Sequence, residues 1–185
     1  MFEALIKRLA KSLGGLKIPY MIIGGQAVLL YGAPRMTKDI DITLGLDIDS
    51  LPAIKKICSR LGLKIKPKDA EEFVKKTMVL PVEDPKTRIR VDFIFSFSAY
   101  EKEAIERAVK VKVKDYYARF ASIDDVIIHK IFAGREIDLV DVRNIIDKMG
   151  KKKIDTVYIK RWLKELQGPS CNTDLLTVFN KTLTG

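Results

Sequence analysis

The chain has 185 residues, with 34 Lys or Arg against 24 Asp or Glu and a formal net charge of +10 at pH 7. That length holds one core, or one core with a small helical appendage, and the basic balance favours an anionic partner such as a nucleotide or nucleic acid. No apolar run nears bilayer-spanning length, the N-terminus is a charged amphipathic segment and not a signal peptide, and Cys58 and Cys171 lack metal-ligand spacing, which suits a reduced cytoplasmic protein.

Phe2, Leu5, Ile6, Leu9 and Leu13 recur at helical spacing, so Met1 to Leu13 is expected as a helix closed by Gly14-Gly15. Tyr20 to Ile23 is a short apolar strand that stops at Gly24-Gly25. Gln26 to Tyr31 has helix-forming composition and ends at Gly32; Ala33-Pro34 is loop chemistry. Asp39-Ile40-Asp41-Ile42 then alternates polar and apolar, a strand period that puts Asp39 and Asp41 on one face.

Two neighbouring carboxylates on a strand repel each other, and a divalent cation resolves that conflict because hard oxygen ligands suit Mg²⁺. The Gly-Gly turn adds a second ingredient. Without Cβ atoms its amides can approach a phosphate at a helix N-terminus. Phosphate cradle plus paired acids is the equipment of metal-assisted phosphoryl transfer.

Further on, Ser50 and Pro52 open a helix with Leu51, Ile54, Ile57, Cys58 and Leu61 as its apolar stripe, closed by Gly62. A short helix is expected from Asp69 to Lys76. Met78 to Val82 and Arg88 to Ser96 read as strands joined by Glu-Asp-Pro-Lys. In the second, Arg88, Arg90 and Asp92 share a face, so Asp92 is the candidate third carboxylate, with pairing to a nearby basic residue as the plainer reading. Ser98 to Lys110 is a helix, and Val111 to Phe120 holds one or two edge strands.

From Ala121 the period changes to 3.6. Ser122-Ile-Asp-Asp is a capping-box variant that opens a helix through Phe132, and a second helix runs to Met149 with Leu139, Val142, Ile145 and Ile146 as its stripe. Lys130 lies among apolar residues, where its ammonium must find an anion or reach water. Asp138 and Asp141, three apart, share a helix face, and Arg135 can pair with Asp138. His129, the only histidine, reads as a packed or surface residue. A basic linker, Lys151 to Lys153, leads to a helix over Ile154 to Gln167 and a last one from Thr173 to Leu183.

The order apolar strand, Gly24-Gly25, thirteen residues, Asp39-Ile-Asp41, with Arg-Val-Asp92-Phe later, resembles the nucleotidyltransferase superfamily of DNA polymerase β. Gly25 stands where many members carry serine. The phrase His-Lys-Ile-Phe-Ala-Gly-Arg-Glu-Ile-Asp-Leu-Val-Asp is similar to the C-terminal signature of the AbiEii-like branch, the abortive-infection toxins, with Ile137 where relatives often have lysine. The resemblance implies an α/β (α+β) fold: a mixed-sheet nucleotidyltransferase core over residues 1–120, flanked by helices, and a small helical part over 121–185 that completes the site. It implies Asp39, Asp41 and Asp92 as catalytic and metal-holding acids for two Mg²⁺ ions, or Mn²⁺. It implies nucleotide contacts from Gly24, Gly25, Lys130, Arg135 and an acid, Asp138 first and Asp141 second. Arg35, Thr37 and Lys38, just before the acid pair, join the phosphate-binding candidates, Lys38 equally as a solvated loop residue.

The expected activity is transfer of an NMP from an NTP such as ATP to an acceptor hydroxyl on RNA or protein, with release of pyrophosphate. The competing expectation is a non-catalytic nucleotide- or RNA-binding module of the same fold. The expected protein is a cytoplasmic monomer or homodimer with no membrane partner, and a cognate antitoxin fits the toxin-like branch.

Overall fold

A computed structural model of the chain describes residues 1–34, 36–96, 98–168 and 174–184. Arg35, Cys171 and the expected helix start at Thr173 lie outside the described residues. The chain divides into two compact units, one of Met1–Gln26 with Met36–Ala121, the other of Ala27–Arg35 with Ser122–Gly185.

The first unit is built on a seven-stranded mixed sheet. Its strands are β1 (Tyr20–Ile23), β2 (Asp39–Leu44), β3 (Lys64–Ile65), β4 (Val79–Glu83), β5 (Arg90–Phe95), β6 (Val109–Val113) and β7 (Tyr116–Phe120), in the order β3-β4-β5-β2-β1-β7-β6. β2 runs parallel to β5 and β1 parallel to β7; the other neighbours are antiparallel. Ile40, Ile42 and Leu44 of β2 and Val91, Phe93 and Phe95 of β5 are fully buried, which fixes the register. A slip of one residue would turn this apolar set out and the acids in.

The expected N-terminal helix forms as α1 (Phe2–Gly15), burying Leu5, Ile6, Leu9, Ala10 and Leu13. Each of the four leucine and isoleucine side chains contributes about 1.5–3 kcal/mol, so Leu9→Ala costs about 2–5 kcal/mol. Gly14-Gly15 is not its cap. Both glycines lie in the last turn and Leu16 follows it with φ −95°. Packing explains this, because a Cβ on Gly14 would stand 2.9 Å from the Tyr116 hydroxyl.

α2 (Gly24–Tyr31) starts directly at the first glycine. In α3 (Leu51–Leu61), Pro52 sits in the first turn and Gly62 caps the end with φ +67°, but Ser50 makes no side-chain cap bond. Asp47, which caps the 3-10 turn Ile48–Ser50 just before it, takes that role. α4 (Ala70–Thr77) and α5 (Ala99–Arg107) start under Asp69 and Ser98, each accepting a backbone N–H. Arg88, expected in the strand, lies before it with φ +61° and pairs with Glu83 at 3.1 Å. Asp84 accepts from Thr87 Oγ1 at 2.9 Å and folds that turn.

The second unit is helical: α6 (Ile123–Ala133), α7 (Glu136–Met149), α8 (Thr156–Leu166) and α9 (Leu175–Thr184), with residues 27–31 of α2. Ser122 caps α6 by accepting from Asp125 N at 3.2 Å and donating to Asp125 Oδ2 at 2.6 Å. Tyr158 of α8 donates to Asp125 Oδ1 at 2.8 Å, and Asp155 N donates to Asp124 Oδ1 at 2.9 Å, which ties α8 to the first turn of α6. Burial, with the charges of Asp125 and Asp124 beside it, pushes the Tyr31 hydroxyl up to about 12. In α8, Val157 is exposed whereas Tyr158 is buried. No helix among the described residues is long and apolar enough to cross a membrane.

Candidate active site

In the first unit the sheet register assembles the acids. Asp41 stands abreast of Asp92 on the parallel pair β2–β5, and Asp39 abreast of Arg90. Two-residue periodicity gives all four one sheet face. On the other side of β2, Asp41 is the register partner of Ile23, the last residue before the diglycine.

Gly24 has φ +63°, and a Cβ there would stand 1.9 Å from Asp41 Oδ2. No L side chain fits that approach without displacing the carboxylate or the turn. The first glycine is therefore required twice, by its backbone angle and by the acid lying against it.

Asp92 is the strained member of the group. Its Oδ2 lies 3.6 Å from Arg90 Nη2, while its Oδ1 is buried with no hydrogen-bond partner. Burial raises its pKa above the ordinary 3.8; Arg90 pulls it down and the charge of Asp39 pushes it further up. An orphaned carboxylate oxygen beside two more acids is costly without a cation. The donor set is all carboxylate oxygen, the chemistry of a Mg²⁺ or Mn²⁺ site, so these residues fit the metal. Among the described residues no three acidic, His or Cys side chains stand together as a ready-made ligand cage. Like charges do not converge unaided, and Arg90 occupies one side of Asp92.

Thr37 and Lys38 lead into β2. Lys38 is exposed. Thr37 Oγ1 accepts from the buried Gln26 Nε2 at 2.6 Å and faces the Asp39 carbonyl at 3.5 Å. The sequence reading missed Gln26. Its signal was its place, a long amide in the first turn after the diglycine with a hydroxyl residue shortly before the acids.

In the second unit, Lys130 of α6 is 5% exposed and Asp138 and Asp141 of α7 are 0% and 2% exposed. Lys130 Nζ lies 2.6 Å from Asp138 Oδ1 and 2.9 Å from Asp141 Oδ2. Arg135 Nε and Nη2 donate to the two Asp138 oxygens at 2.6 and 3.1 Å, with the Arg135 side chain 70% exposed. Two cations thus face two carboxylates. Burial works to raise the Asp138 pKa, but the bonds and charges of Arg135 and Lys130 prevail and hold it below the usual value. The structure brings these four expected residues together, and it ties the ammonium of Lys130 to protein carboxylates.

The family model described as "Nucleotidyl transferase AbiEii toxin, Type IV TA system" matches residues 8–157. No curated protein matches. Among solved structures, an antigenic nucleotidyltransferase-like protein from Paracoccidioides brasiliensis superposes with a TM-score of 0.60 at 14% identity, covering 97% of this chain and 85% of its own. The antibiotic-resistance factor ANT(2'')-Ia gives 0.61 at 16% identity, covering 88% and 91%. The lincosamide adenylyltransferase LnuA gives 0.50 at 16%, covering 72% and 89%. At these identities the likeness is one of fold, the mixed-sheet nucleotidyltransferase core flanked by helices.

Proposed function

We propose, for a chain that belongs to the AbiEii family of nucleotidyl transferases, that the carboxylates on β2 and β5 are the catalytic centre of NMP transfer from an NTP to an acceptor hydroxyl. Asp39, Asp41 and Asp92 would hold the divalent metal. When bound, Mg²⁺ offsets the repulsion of the three acids and of the triphosphate and lowers the cost of charge on the leaving pyrophosphate. The observation that carries this reading is the register of Asp41 on Asp92 with the Asp92 Oδ1 left unpartnered.

The chain's own groups divide the remaining work. The amides of Gly24 and Gly25, at the start of α2, face phosphate oxygens. Thr37 and Lys38 flank the triphosphate; Arg35, the other phosphate-binding candidate of that loop, lies outside the described residues. Asp92, the acid with the raised pKa, accepts the proton of the acceptor hydroxyl. The hydroxyl oxygen bonds to the α-phosphorus, the α–β phosphoanhydride bond breaks, and pyrophosphate leaves with the electron pair. In the second unit, Lys130, also paired with Asp141, holds Asp138, and Asp138 orients the exposed guanidinium of Arg135 toward an anion.

Incubation with labelled NTPs, Mg²⁺ and cell extract tests the reading. Wild type labels one fraction and releases pyrophosphate, while Asp39→Asn folds and transfers nothing. Undiminished transfer by Asp39→Asn sinks it. The labelled fraction identifies the acceptor, RNA or protein.

The family's description names a toxin of a type IV toxin–antitoxin system. On our reading, expression of this chain arrests growth, and a cognate antitoxin expressed with it restores growth.

One observation favours the binding-module alternative: Arg90 already approaches Asp92. A binder of that kind shows nucleotide affinity indifferent to Mg²⁺ and weakened by salt.

A further inference from the structure

A cavity of about 370 Å³ opens at the β6–β7 end of the sheet, in the first unit, lined by Tyr20, Tyr116, Tyr117, Lys110, Asp115 and Arg119. None of these belongs to the acid centre, and β1 lies between β2 and β7.

Its charges are arranged against the interest of the fold. Lys110 and Arg119 are direct register partners across the antiparallel pair β6–β7. Like charges in that position destabilise a ladder. Arg119 Nη2 is engaged with the carbonyls of Ile105 and Glu106 at the end of α5, at 2.5 and 3.5 Å. Its Nε is buried with no hydrogen-bond partner. Asp115 does not supply the missing anion. Lys7 holds it at 2.5 Å, and Lys7 and Lys11 both keep its carboxyl below the usual range. The group of Lys7, Lys11, Lys110, Arg119 and Asp115 therefore carries a surplus of positive charge.

The aromatic part is fixed in place. The Tyr20 hydroxyl accepts from Arg119 N at 3.3 Å, and Tyr116 packs where α1 carries glycine and not a larger residue. Tyr117, the register partner of Lys112, is 59% exposed. Cationic groups beside an open aromatic face match a phosphate joined to a base. The volume lies within the roughly 300–1,000 Å³ of small-molecule sites.

We propose that this cavity is a second nucleotide site, independent of the metal centre, with the phosphate on Lys110, beside the charge of Arg119, and the base against Tyr117. The ligand chemistry is that of one nucleoside phosphate, either free or as a unit of a single strand.

Calorimetric titration in EDTA tests it, with UMP, octauridylate and inorganic phosphate as probes. Lys110→Gln and Tyr117→Ala change exposed side chains and spare the Arg119 clamp on α5; their melting temperatures verify folding. Wild type and Asp39→Asn bind UMP saturably and alike, and each cavity variant weakens binding at least fivefold. Octauridylate binding tenfold or more tighter than UMP assigns a strand unit; equal affinity assigns the free nucleotide. Absence of saturable binding in EDTA, or wild-type affinity in Lys110→Gln, overturns the site. Inorganic phosphate binding as tightly as UMP overturns the role of the tyrosines. Because Asp39→Asn retains this binding, failure here is separable from failure of the transfer assay.

Discussion

The chain carries two sets of carboxylates that look alike in sequence and differ in kind. On β2 and β5 the acids share a face with one arginine, Asp92 keeps an oxygen without a partner, and its pKa is raised. On α7, Asp138 meets a lysine and a bidentate arginine, and its pKa is lowered. The first set is short of positive charge and the second has it supplied. Burial alone therefore does not mark a reactive acid. What marks it is a buried oxygen for which the protein offers nothing, since a fold has no reason to bear that cost unless something arrives from outside.

The sharpest way to break this contrast is to neutralise one acid of each set. Asp41→Asn lowers transfer by about 10³-fold or more, roughly 4 kcal/mol of transition-state stabilisation, with the melting temperature within a few degrees of wild type. A pyrophosphate-release assay beside a thermal melt checks both. In the second unit the pattern inverts. Lys130→Met removes the ammonium that two buried carboxylates share and costs about 3–5 kcal/mol, read as a drop in denaturation midpoint.

Gly24→Ala comes next. The left-handed angle costs about 1–2 kcal/mol, and the new methyl displaces Asp41, so activity falls by about 10²-fold while Gly25→Ala is milder. Steady-state kinetics of the two variants decides. The smallest effect has the most telling sign. Asp92→Asn removes an acid whose folded pKa is raised, so it stabilises the metal-free protein at pH 7 by on the order of 1 kcal/mol, about 2–4 °C in melting temperature. That gain disappears as the pH falls below 3.8, the unfolded value, where wild-type Asp92 is itself protonated. Asp138 behaves oppositely. Its contribution is present above 3.8 and is lost as the pH falls through its lower folded value. Melting curves of Asp92→Asn and Asp138→Asn from pH 3 to 7, compared with wild type, read both signs. Saturating Mg²⁺ raises the wild-type melting temperature and leaves Asp92→Asn almost unmoved.

Local chemistry made part of this legible. Asp-Ile-Asp announces its strand by period, and the apolar run before Gly24 announces the turn. Arg-Val-Asp-Phe places the third acid, because alternation there is clean. Pairing is less readable. β3 is a strand only because Lys64 and Ile65 bond to Glu83 and Val82 of β4, and two residues carry no pattern. Ser50 has the composition of a cap but lies at the end of a turn that Asp47 had already closed. Gly14-Gly15 resembles a stop signal, yet its small size serves Tyr116, a hundred residues on. Lys130 was recognisable as a cation needing an anion. That Asp138 and Asp141 both answer it depends on how α6 and α7 pack, which spacing alone does not encode.

The parallel pairing of β2 with β5 also bears on synthesis. Asp41 and Asp92 are neighbours in space but roughly fifty residues apart along the chain, with α3, β3, α4 and β4 emerging between them. Contacts that distant form late in folding. A nascent polypeptide carries the diglycine and the first two acids long before it carries the third. The proposed centre is thereby incomplete until most of the sheet has been translated.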